Sequence, residues 1–507
     1  MSKLTVFNTI RVLFTYFRGS RNRRHFCLDS SSTTVENNSA KNEDNDYHRF
    51  WYLSRRKKMK KRHPPITEDN QYELIEKAVT PLIDVPYERQ LQKKARLCGK
   101  VLCKINNVIQ NSHPENPDLK EIFAKNSVIS DGKYEYICPF ETFKPSWKPK
   151  IYEYRNKDEF SIGPDYKGKL IAGHFVGSGR GHHITCVEMK NLKVCKSSHK
   201  LFSNHLNNFL QNHSKFAPCY MFYDGGHWHR ASARTNRNDE LLVSFRFHPQ
   251  NLSEIDVKNA SNEVKKYFVD GPGKECNIAS LNFQVSTKVR ETHEESPFWL
   301  LNGEPTITET LHDCKFRISP DAFFQINTEA AEVLYERVRD YCQLGPNTTV
   351  LDVCCGTGTI GLLMAKHCKQ VYGADIVGQA VENAKVNAKI NGVTNAEYYH
   401  GEAKYFLRDL LRQHVIKPGD DVVAVLNPAR AGLTMDVMES LRKCDAIRRI
   451  VYVCCKPHGN AFLNFVSLCH PGKKRLPGTP FIPKRSCGVD LFPHTQHYEI
   501  IIDFERL

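Results

Sequence analysis

The stretch VLDVCCGTGTIG, residues 350–361, decides the fold. It reads as a short apolar strand, a turn rich in cysteine and glycine, and the start of a helix. Glycines permit a tight turn and let backbone amides approach a ligand closely. Asp375 ends the next predicted strand, where its carboxylate can accept hydrogen bonds from a ribose. The pattern therefore predicts a turn that binds a cofactor containing a ribose.

Predicted strands and helices alternate on both sides of this turn. The strands are 350–353, 371–374, 422–426 and 450–453, and the helices are 328–341 and 377–391, with a further helix after Gly358. Repeated strand–helix units predict an α/β fold with a mostly parallel, Rossmann-like sheet. Ligands of such sheets bind beyond the carboxyl ends of the strands.

Residues around the turn separate two candidate cofactors, since glycine spacing alone fits both a nicotinamide dinucleotide and S-adenosylmethionine. Asp352 and two cysteines lie between the strand and the glycines, Asn427-Pro428-Ala429-Arg430 ends another strand, and Cys454-Cys455 ends the next. A nicotinamide-dependent oxidoreductase explains none of these features, so S-adenosylmethionine is favoured. An oxidoreductase and a glycine turn without a ligand are the alternatives.

By composition, three segments precede the cofactor-binding domain. Residues 1–45 are predicted to be a disordered transit peptide, 46–79 a basic linker, 80–315 a helix followed by a β-rich domain, and 316–507 the cofactor-binding domain. Leu91, Ala95, Cys98, Leu102 and Ile105 recur at helical spacing, and order is predicted to begin near Thr80. Short alternating runs between glycine turns fill residues 151–286.

The first 28 residues contain no acidic residue and six basic ones, interleaved with apolar positions. This composition is typical of a mitochondrial transit peptide and predicts the mitochondrial matrix. A disordered basic tail is the plainer alternative. The basic run at residues 55–62 also fits a nuclear import signal or an RNA-binding arm, so nucleus or cytosol is the alternative location.

Composition limits the partners. The chain of 507 residues has a formal net charge of +16 and a pI near 9.0, which favours a polyanion such as nucleic acid. Its 18 cysteines form no CxxC pair, so we expect reduced thiols and no metal site. Apolar runs stay well short of the roughly 18 residues that a membrane-spanning helix needs, so no membrane partner is expected.

Five ordered motifs resemble the uracil-5-methyltransferases of tRNA and rRNA, across most of residues 80–507. They are ISPDAFFQIN at 318–327, the glycine turn, NPARAGL at 427–433, VYVCCKP at 451–457 and VDLFPHT with HYE at 489–499. Most members read DPPR and SCNP where this chain has NPAR and CCKP. The NPARAGL variant resembles the mitochondrial homolog B branch of that family.

The resemblance implies a class I fold, a chemistry and a set of site residues. Cys455 is the nucleophile that adds to C6 of uridine, and Glu499 is the general base that removes the C5 proton. S-adenosylmethionine is the cofactor, and its binding residues are Gln325, Cys354, Gly356, Gly358, Thr359, Asp375 and Asn427. No iron–sulfur cluster is expected.

The resemblance also implies the substrate. Position 54 in the T-loop of mitochondrial tRNA is the expected target, with small-subunit rRNA as a further one. Because the base must leave its stack, Phe323-Phe324 and the run 154–160, which the family turns toward RNA, are candidate contacts. A monomer without an obligate protein partner is expected. The alternative is a catalytically weak member that binds or folds RNA, since Asn427 and Ala429 alter a family motif.

Overall fold

The computed structural model describes residues 65–112, 117–130, 134–145, 150–178, 183–288, 295–413, 415–417, 419–472 and 476–507. These residues belong to one compact unit, His63–Leu507. The expected transit peptide, residues 1–45, and the basic run 55–62 lie outside the described residues. No helix in the described part of the chain is both long and apolar enough to span a membrane.

The described chain opens with three helices and three short strands. They are α1 (Gln71–Val79), α2 (Tyr87–Ser112), α3 (Pro117–Asn126), β1 (Val128–Ser130), β2 (Tyr134–Tyr136) and β3 (Phe140–Lys144). Helix α2 contains the predicted apolar stripe, of which Cys98, Leu102 and Ile105 are buried. The prediction that order begins near Thr80 is wrong, because α1 precedes it. The short helix α1 is held by tertiary packing, since its Ile75 lies in the core of the next sheet.

A seven-stranded sheet follows, as the β-rich prediction required. Its elements are β4 (Lys157–Pro164), β5 (Leu170–Ser178), β6 (His183–Val187), α4 (Ser197–Asn208), β7 (Trp228–Thr235), β8 (Leu241–Phe247), α5 (Glu254–Lys265), β9 (Ile278–Val285) and β10 (Trp299–Gly303). The strand order is β10-β9-β8-β7-β4-β5-β6. One face is apolar and packs its aromatic residues, such as Phe160 and Phe245, against Phe202 of α4. Alternation of side chains leaves the opposite face polar.

The C-terminal region begins with a hairpin, β11 (Ile307–Leu311) and β12 (Cys314–Ile318), and continues with alternating elements. They are α6 (Thr328–Cys342), β13 (Thr349–Val353), α7 (Thr359–Ala365), β14 (Gln370–Asp375), α8 (Gly378–Ile390), β15 (Ala396–His400), α9 (Ala403–Arg412), β16 (Val422–Leu426), α10 (Met435–Lys443), β17 (Ile447–Cys454), α11 (Asn460–Cys469), β18 (Phe481–Val489) and β19 (Glu499–Arg506). The predicted strands and helices are present here. The sequence patterns did not predict β11, β12, β15, α9, α10 or α11.

An eight-stranded sheet joins these strands in the order β15-β14-β13-β16-β17-β19-β18-β3. The first five strands are parallel, and β19 runs antiparallel to both β17 and β18. Strands β13 and β16 are buried along their whole length, as expected for parallel strands with helices on both faces. The predicted Rossmann-like sheet is confirmed.

The last strand of that sheet comes from the N-terminal part of the chain. Strand β3 pairs with β18, and helix α2 packs on the same edge, where Cys98 lies against the strand pair. Pairing an edge strand covers hydrogen-bonding groups that would otherwise be open to other chains. Residues 80–315 therefore contribute to both sheets.

Candidate active site

The carboxyl ends of four parallel strands meet at one edge of the eight-stranded sheet. Val353 pairs with Leu426, and Leu426 pairs with Tyr452, so β13, β16 and β17 end side by side. The residues that follow these ends are Cys354, Asn427 and Cys455, and Asp375 ends the neighbouring β14. Four of the predicted site residues therefore share this edge through topology alone.

The antiparallel register of β17 and β19 brings Cys455 and Glu499 together. Cys454 pairs with Ile500, so the next position along the ladder sets Cys455 opposite Glu499. Glu499 is 3% exposed, and Cys455 is partly buried. Cys454 instead packs into the core below the sheet. Of the two adjacent thiols, only Cys455 is therefore placed at the site.

Burial and one arginine set the charge of this pair. Burial raises the pKa of Glu499 to about 8, and Arg430 opposes the rise. Burial also raises the pKa of Cys455, and Glu499 adds to that rise. The Arg430 guanidinium counters it through its charge and through a hydrogen bond that it donates to the sulfur. Arg430 thus favours the charged form of both groups.

Arg430 was not predicted as a site residue. It stands in the run Asn427-Pro428-Ala429-Arg430 that the sequence analysis singled out, and it is exposed at the end of β16. The sequence feature that could have identified Arg430 is its position three residues after Asn427 on the same loop. Its proximity to Cys455, which follows β17, and to Glu499 of β19 becomes visible only in the folded chain.

The glycine turn is held by Asp375. Its Oδ2 accepts a hydrogen bond from the Gly356 amide at 2.9 Å, and its Oδ1 accepts one from the Val377 amide at 3.0 Å. Gly356 has φ +55, and a side chain added there would meet open space. Gly358 differs, because an added Cβ would lie 2.9 Å from Ala384 and Tyr398. The first glycine gives a ligand access, whereas the second permits close packing.

The two residues flanking these glycines complete the turn. Cys354 adopts φ +65, and burial raises the pKa of its thiol to about 12. Thr359 begins α7 and lies 3.2 Å from the Thr357 hydroxyl, oxygen to oxygen. Asp352 points below the turn, where its Oδ2 accepts a hydrogen bond from the Gly361 amide at 2.8 Å. Asp352 therefore ties strand to helix from inside the core.

Gln325 is 6% exposed and lies beside Tyr335, a residue close to Glu499. Burial and the charge of Glu499 raise the pKa of Tyr335, and Gln325 lowers it. The Asn156 amide donates to the Gln325 carbonyl at 2.8 Å. Asn427 is partly buried, and its backbone amide lies 3.4 Å from the Val353 carbonyl oxygen.

The predicted RNA contacts are only partly available. Phe323 is 68% exposed, whereas Phe324 is buried, 5.9 Å from the Phe316 ring centre. Within the run 154–160, Tyr154, Asp158 and Phe160 are also buried. Of the aromatic pair, Phe323 is therefore the residue that a base can reach.

A cluster of cations lies on the polar face of the seven-stranded sheet. We call it the basic face, and it comprises Lys157, Arg230, Arg234 and Arg246. The two cross-strand pairs are Lys157 with Arg234 and Arg230 with Arg246. Like charges placed directly opposite each other destabilise a sheet. An anion that binds this face would relieve that repulsion.

Carboxylates lie near several members of the basic face. Glu159 lies 3.7 Å from the Lys157 ammonium and 3.4 Å from the Arg230 guanidinium, and Asp321 and Glu309 act by charge on Lys157 and Arg234, respectively. Burial, together with the charges of Arg234 and Arg246, lowers the pKa of Lys157 to about 8. Arg234 is 3% exposed, and its Nε has no hydrogen-bond partner within the described residues. The other Arg234 nitrogens lie 3.5 and 3.4 Å from oxygens of Asn156 and Ala322. The basic face therefore ends beside the run that carries Gln325.

Comparison with known proteins gives consistent matches. A family model described as a methyltransferase domain matches residues 344–445. The human tRNA (uracil-5-)-methyltransferase homolog B is 39% identical over 438 residues, which are 86% of this chain and 84% of the human protein. Mouse tRNA (uracil-5-)-methyltransferase homolog A is 36% identical over 439 residues, 85% of this chain and 69% of the mouse protein. The names describe methyltransferases and not oxidoreductases.

A solved structure shares the fold. The Pyrococcus abyssi tRNA (uracil-54, C5)-methyltransferase, determined in complex with S-adenosyl-L-homocysteine, superposes with a TM-score of 0.56 at 22% sequence identity. The superposition covers 83% of this chain and 84% of the archaeal chain. The match thus extends over both sheets and is not limited to the methyltransferase domain.

Proposed function

The chain belongs to the tRNA (uracil-5-)-methyltransferase family, and from that premise we propose that it methylates C5 of a uridine in tRNA. The observation that carries the proposal is that Cys455 faces Glu499 one position beyond the last β17–β19 pair, Cys454 with Ile500. A nucleophile and a buried base beside a glycine turn are the groups that this reaction requires.

Cys455 starts the reaction. C5 of uracil is a poor nucleophile while the ring is conjugated, so the thiolate adds to C6 and forms a C–S bond, which makes C5 an enolate carbon. The thiol must first lose its proton, and burial works against that loss. The hydrogen bond and charge of Arg430 favour the thiolate, which is the reactive form.

S-adenosylmethionine, when bound, supplies an electrophilic methyl group for C5. The residues that would hold it are Gln325, Cys354, Gly356, Gly358, Thr359, Asp375 and Asn427. The turn fits such a ligand, because Gly356 faces open space while Asp375 fixes its amide. Asn427 keeps an acceptor oxygen where most relatives have a carboxylate, and it adds a donor.

Glu499 completes the reaction. Its carboxylate takes the proton from the methylated C5, the C5–C6 double bond forms again, and the C6–S bond breaks as Cys455 leaves as a thiolate. With a pKa near 8, Glu499 is a stronger base than an exposed glutamate. Arg430 beside it keeps a fraction of the carboxyl ionised.

The basic face would bind the RNA backbone. The partly exposed Lys157, Arg230 and Arg246 offer positive charge to phosphate groups, and the buried Arg234 on the same face lies next to the run that holds Gln325 and Phe323. The exposed Phe323 ring can stack on a base that has left the helix. This arrangement supports RNA, and not a free nucleoside, as the substrate.

We propose mitochondrial tRNA, at position 54 of the T-loop, as the target, with small-subunit rRNA as a further one. The support is the resemblance of the NPARAGL motif and the acid-free, arginine-rich first 28 residues. Fusion of residues 1–45 to a fluorescent reporter tests the location, and a cytosolic reporter would contradict it. Mapping of 5-methyluridine in organellar RNA with and without the protein tests the substrate.

A 5-fluorouridine RNA tests the chemistry. Fluorine at C5 cannot leave as a proton, so the wild-type protein should form a covalent, methylated adduct with this RNA. Cys455→Ala should form none, whereas the matched Cys454→Ala variant should keep the adduct because Cys454 faces the core. A wild-type protein that binds the RNA without forming an adduct would instead support the RNA-binding alternative.

A further inference from the structure

We propose that helix α2 is a positioning element for the general base, with Gln90 and Lys94 as its positioning residues. The inference rests on the proposed function, in which Glu499 removes the C5 proton. Both residues contact the loop that joins β18 to β19, and Glu499 is the first residue of β19. Neither residue touches the reacting atoms in this arrangement.

The loop in question, residues 490–498, is too long to fix its own geometry. It is closed by the pairing of Val489 with Glu499, which is the terminal rung of the β18–β19 ladder. Most hairpin loops have roughly two to five residues, and their turn type sets the register. A terminal rung opens easily unless other contacts hold the loop. The position of Glu499 therefore depends on the contacts that hold residues 490–498.

Lys94 forms hydrogen bonds to the start of this loop. Its ammonium donates to Asp490 Oδ1 at 2.7 Å and to the Phe492 carbonyl at 2.9 Å. Both side chains of the Lys94–Asp490 ion pair are fully buried. A buried ion pair is often no more stabilising than apolar residues of similar volume. Its directional contacts instead fix one arrangement of the loop against α2.

Gln90, one helical turn before Lys94, forms a hydrogen bond to the tip of the loop at His494. Its Oε1 accepts a hydrogen bond from the His494 amide at 2.8 Å, and its Nε2 lies 3.0 Å from His494 Nδ1. His494 has φ +64, a conformation that non-glycine residues keep only where the surroundings impose it. The Leu82 amide also donates to the His494 carbonyl, at 2.9 Å. The strained tip is therefore held from the N-terminal side of the chain.

The same loop also contacts the other two parts of the site. Asn327, which caps α6 two residues after Gln325, donates to the Leu491 carbonyl at 3.3 Å. Tyr154, next to the basic face, donates from its phenol to the Pro493 carbonyl at 3.1 Å. The run that carries Gln325, the seven-stranded sheet and the general base thus meet at this loop, and α2 holds it from the remaining side.

The expected consequence is specific to one chemical step. Thiolate addition and methyl transfer use Cys455 and the cofactor turn, which α2 does not contact through Gln90. Proton removal uses Glu499, and a displacement of about 1 Å in a reacting group can slow a step by roughly 100-fold. Loosening the loop should therefore slow release of methylated RNA and leave adduct formation unchanged.

The test measures two single-turnover rates in the full-length Gln90→Leu variant. With 5-fluorouridine RNA, adduct formation should stay within about twofold of wild type. With uridine RNA, release of the product should slow by about tenfold or more, and a methylated covalent intermediate should accumulate. Gln92→Leu, on the exposed side of α2, is the matched control and should leave both rates unchanged.

A second variant tests the same proposal if Gln90→Leu folds poorly. His494→Gly removes the ring contacts and permits the positive φ, so it loosens the tip without backbone strain. Its control is Gln496→Gly, an exposed position in the same loop. Equal loss of both rates in His494→Gly, or no change in either rate, would overturn the positioning role. A wild-type protein that forms no adduct would instead refute the proposed function.

Discussion

The two sheets expose polar groups in different ways. At the edge of the eight-stranded sheet a few buried groups each have their own role. Burial raises the pKa of Glu499, for example, to about 8. On the seven-stranded sheet the basic face spreads four cations over β4, β7 and β8, and side chains such as Lys157 and Arg230 are 21% and 18% exposed. The first arrangement suits chemistry at one atom, and the second suits binding of a repeating charge.

This difference predicts large effects from single substitutions at the edge and smaller effects on the basic face. The largest after loss of the nucleophile is expected for Glu499→Gln. The amide keeps the shape but cannot accept the C5 proton, so turnover should fall by roughly 10²–10⁴-fold. Adduct formation with 5-fluorouridine RNA should persist, as measured by a gel shift. Loss of both activities together would mean that Glu499 acts before proton removal.

The pH profile of product release should show the raised pKa of Glu499. Because burial raises that pKa to about 8, the carboxyl is mostly protonated at neutral pH and gains its base form as pH rises. Below pH 8 the release rate should increase by roughly tenfold per pH unit. Single-turnover assays from pH 6 to 9 measure it. A profile that is flat over this range would contradict a base with this pKa.

Substitution of the basic face should weaken binding and leave the chemical steps intact. Arg230→Ala combined with Arg246→Ala should raise KM for tRNA by roughly tenfold and reduce the slope of log affinity against log salt by about two. The adduct rate at saturating RNA should not change. Arg408→Ala with Arg412→Ala, both exposed on α9, is the control of equal charge. An unchanged salt slope would exclude the basic face from RNA binding.

The smallest effect is expected for Asn427→Asp, which restores the residue found in most relatives. Asn427 already offers an acceptor oxygen at the end of β16, so turnover should change by less than about threefold. Steady-state assays at saturating cofactor measure this change. Much higher turnover in the variant would show that the asparagine lowers activity and would favour the RNA-binding alternative.

Sequence patterns were informative wherever a function is carried by a contiguous run. The strand, turn and helix around residues 350–361, the carboxylate of Asp375 and the motif that holds Cys455 were all found in this way. Arg430 was missed, although it lies in a quoted run, because its partners come from other strands. Of the basic face, only Lys157 lay in a predicted run, 154–160; Arg230 and Arg246 were missed because they are far from it in sequence and only strand pairing joins them.

The sequence by itself determined the α/β fold of the C-terminal region and the family to which the chain belongs. Both follow from short-range signals, namely alternating apolar runs, glycines at fixed offsets and ordered motifs. Only the tertiary structure decided that Glu499 faces Cys455, that burial raises its pKa, and that Gln90 contacts His494, 404 positions away. The charge of a side chain, its burial and the contacts it makes depend on its neighbours in space. Those neighbours come together only after the strands have paired.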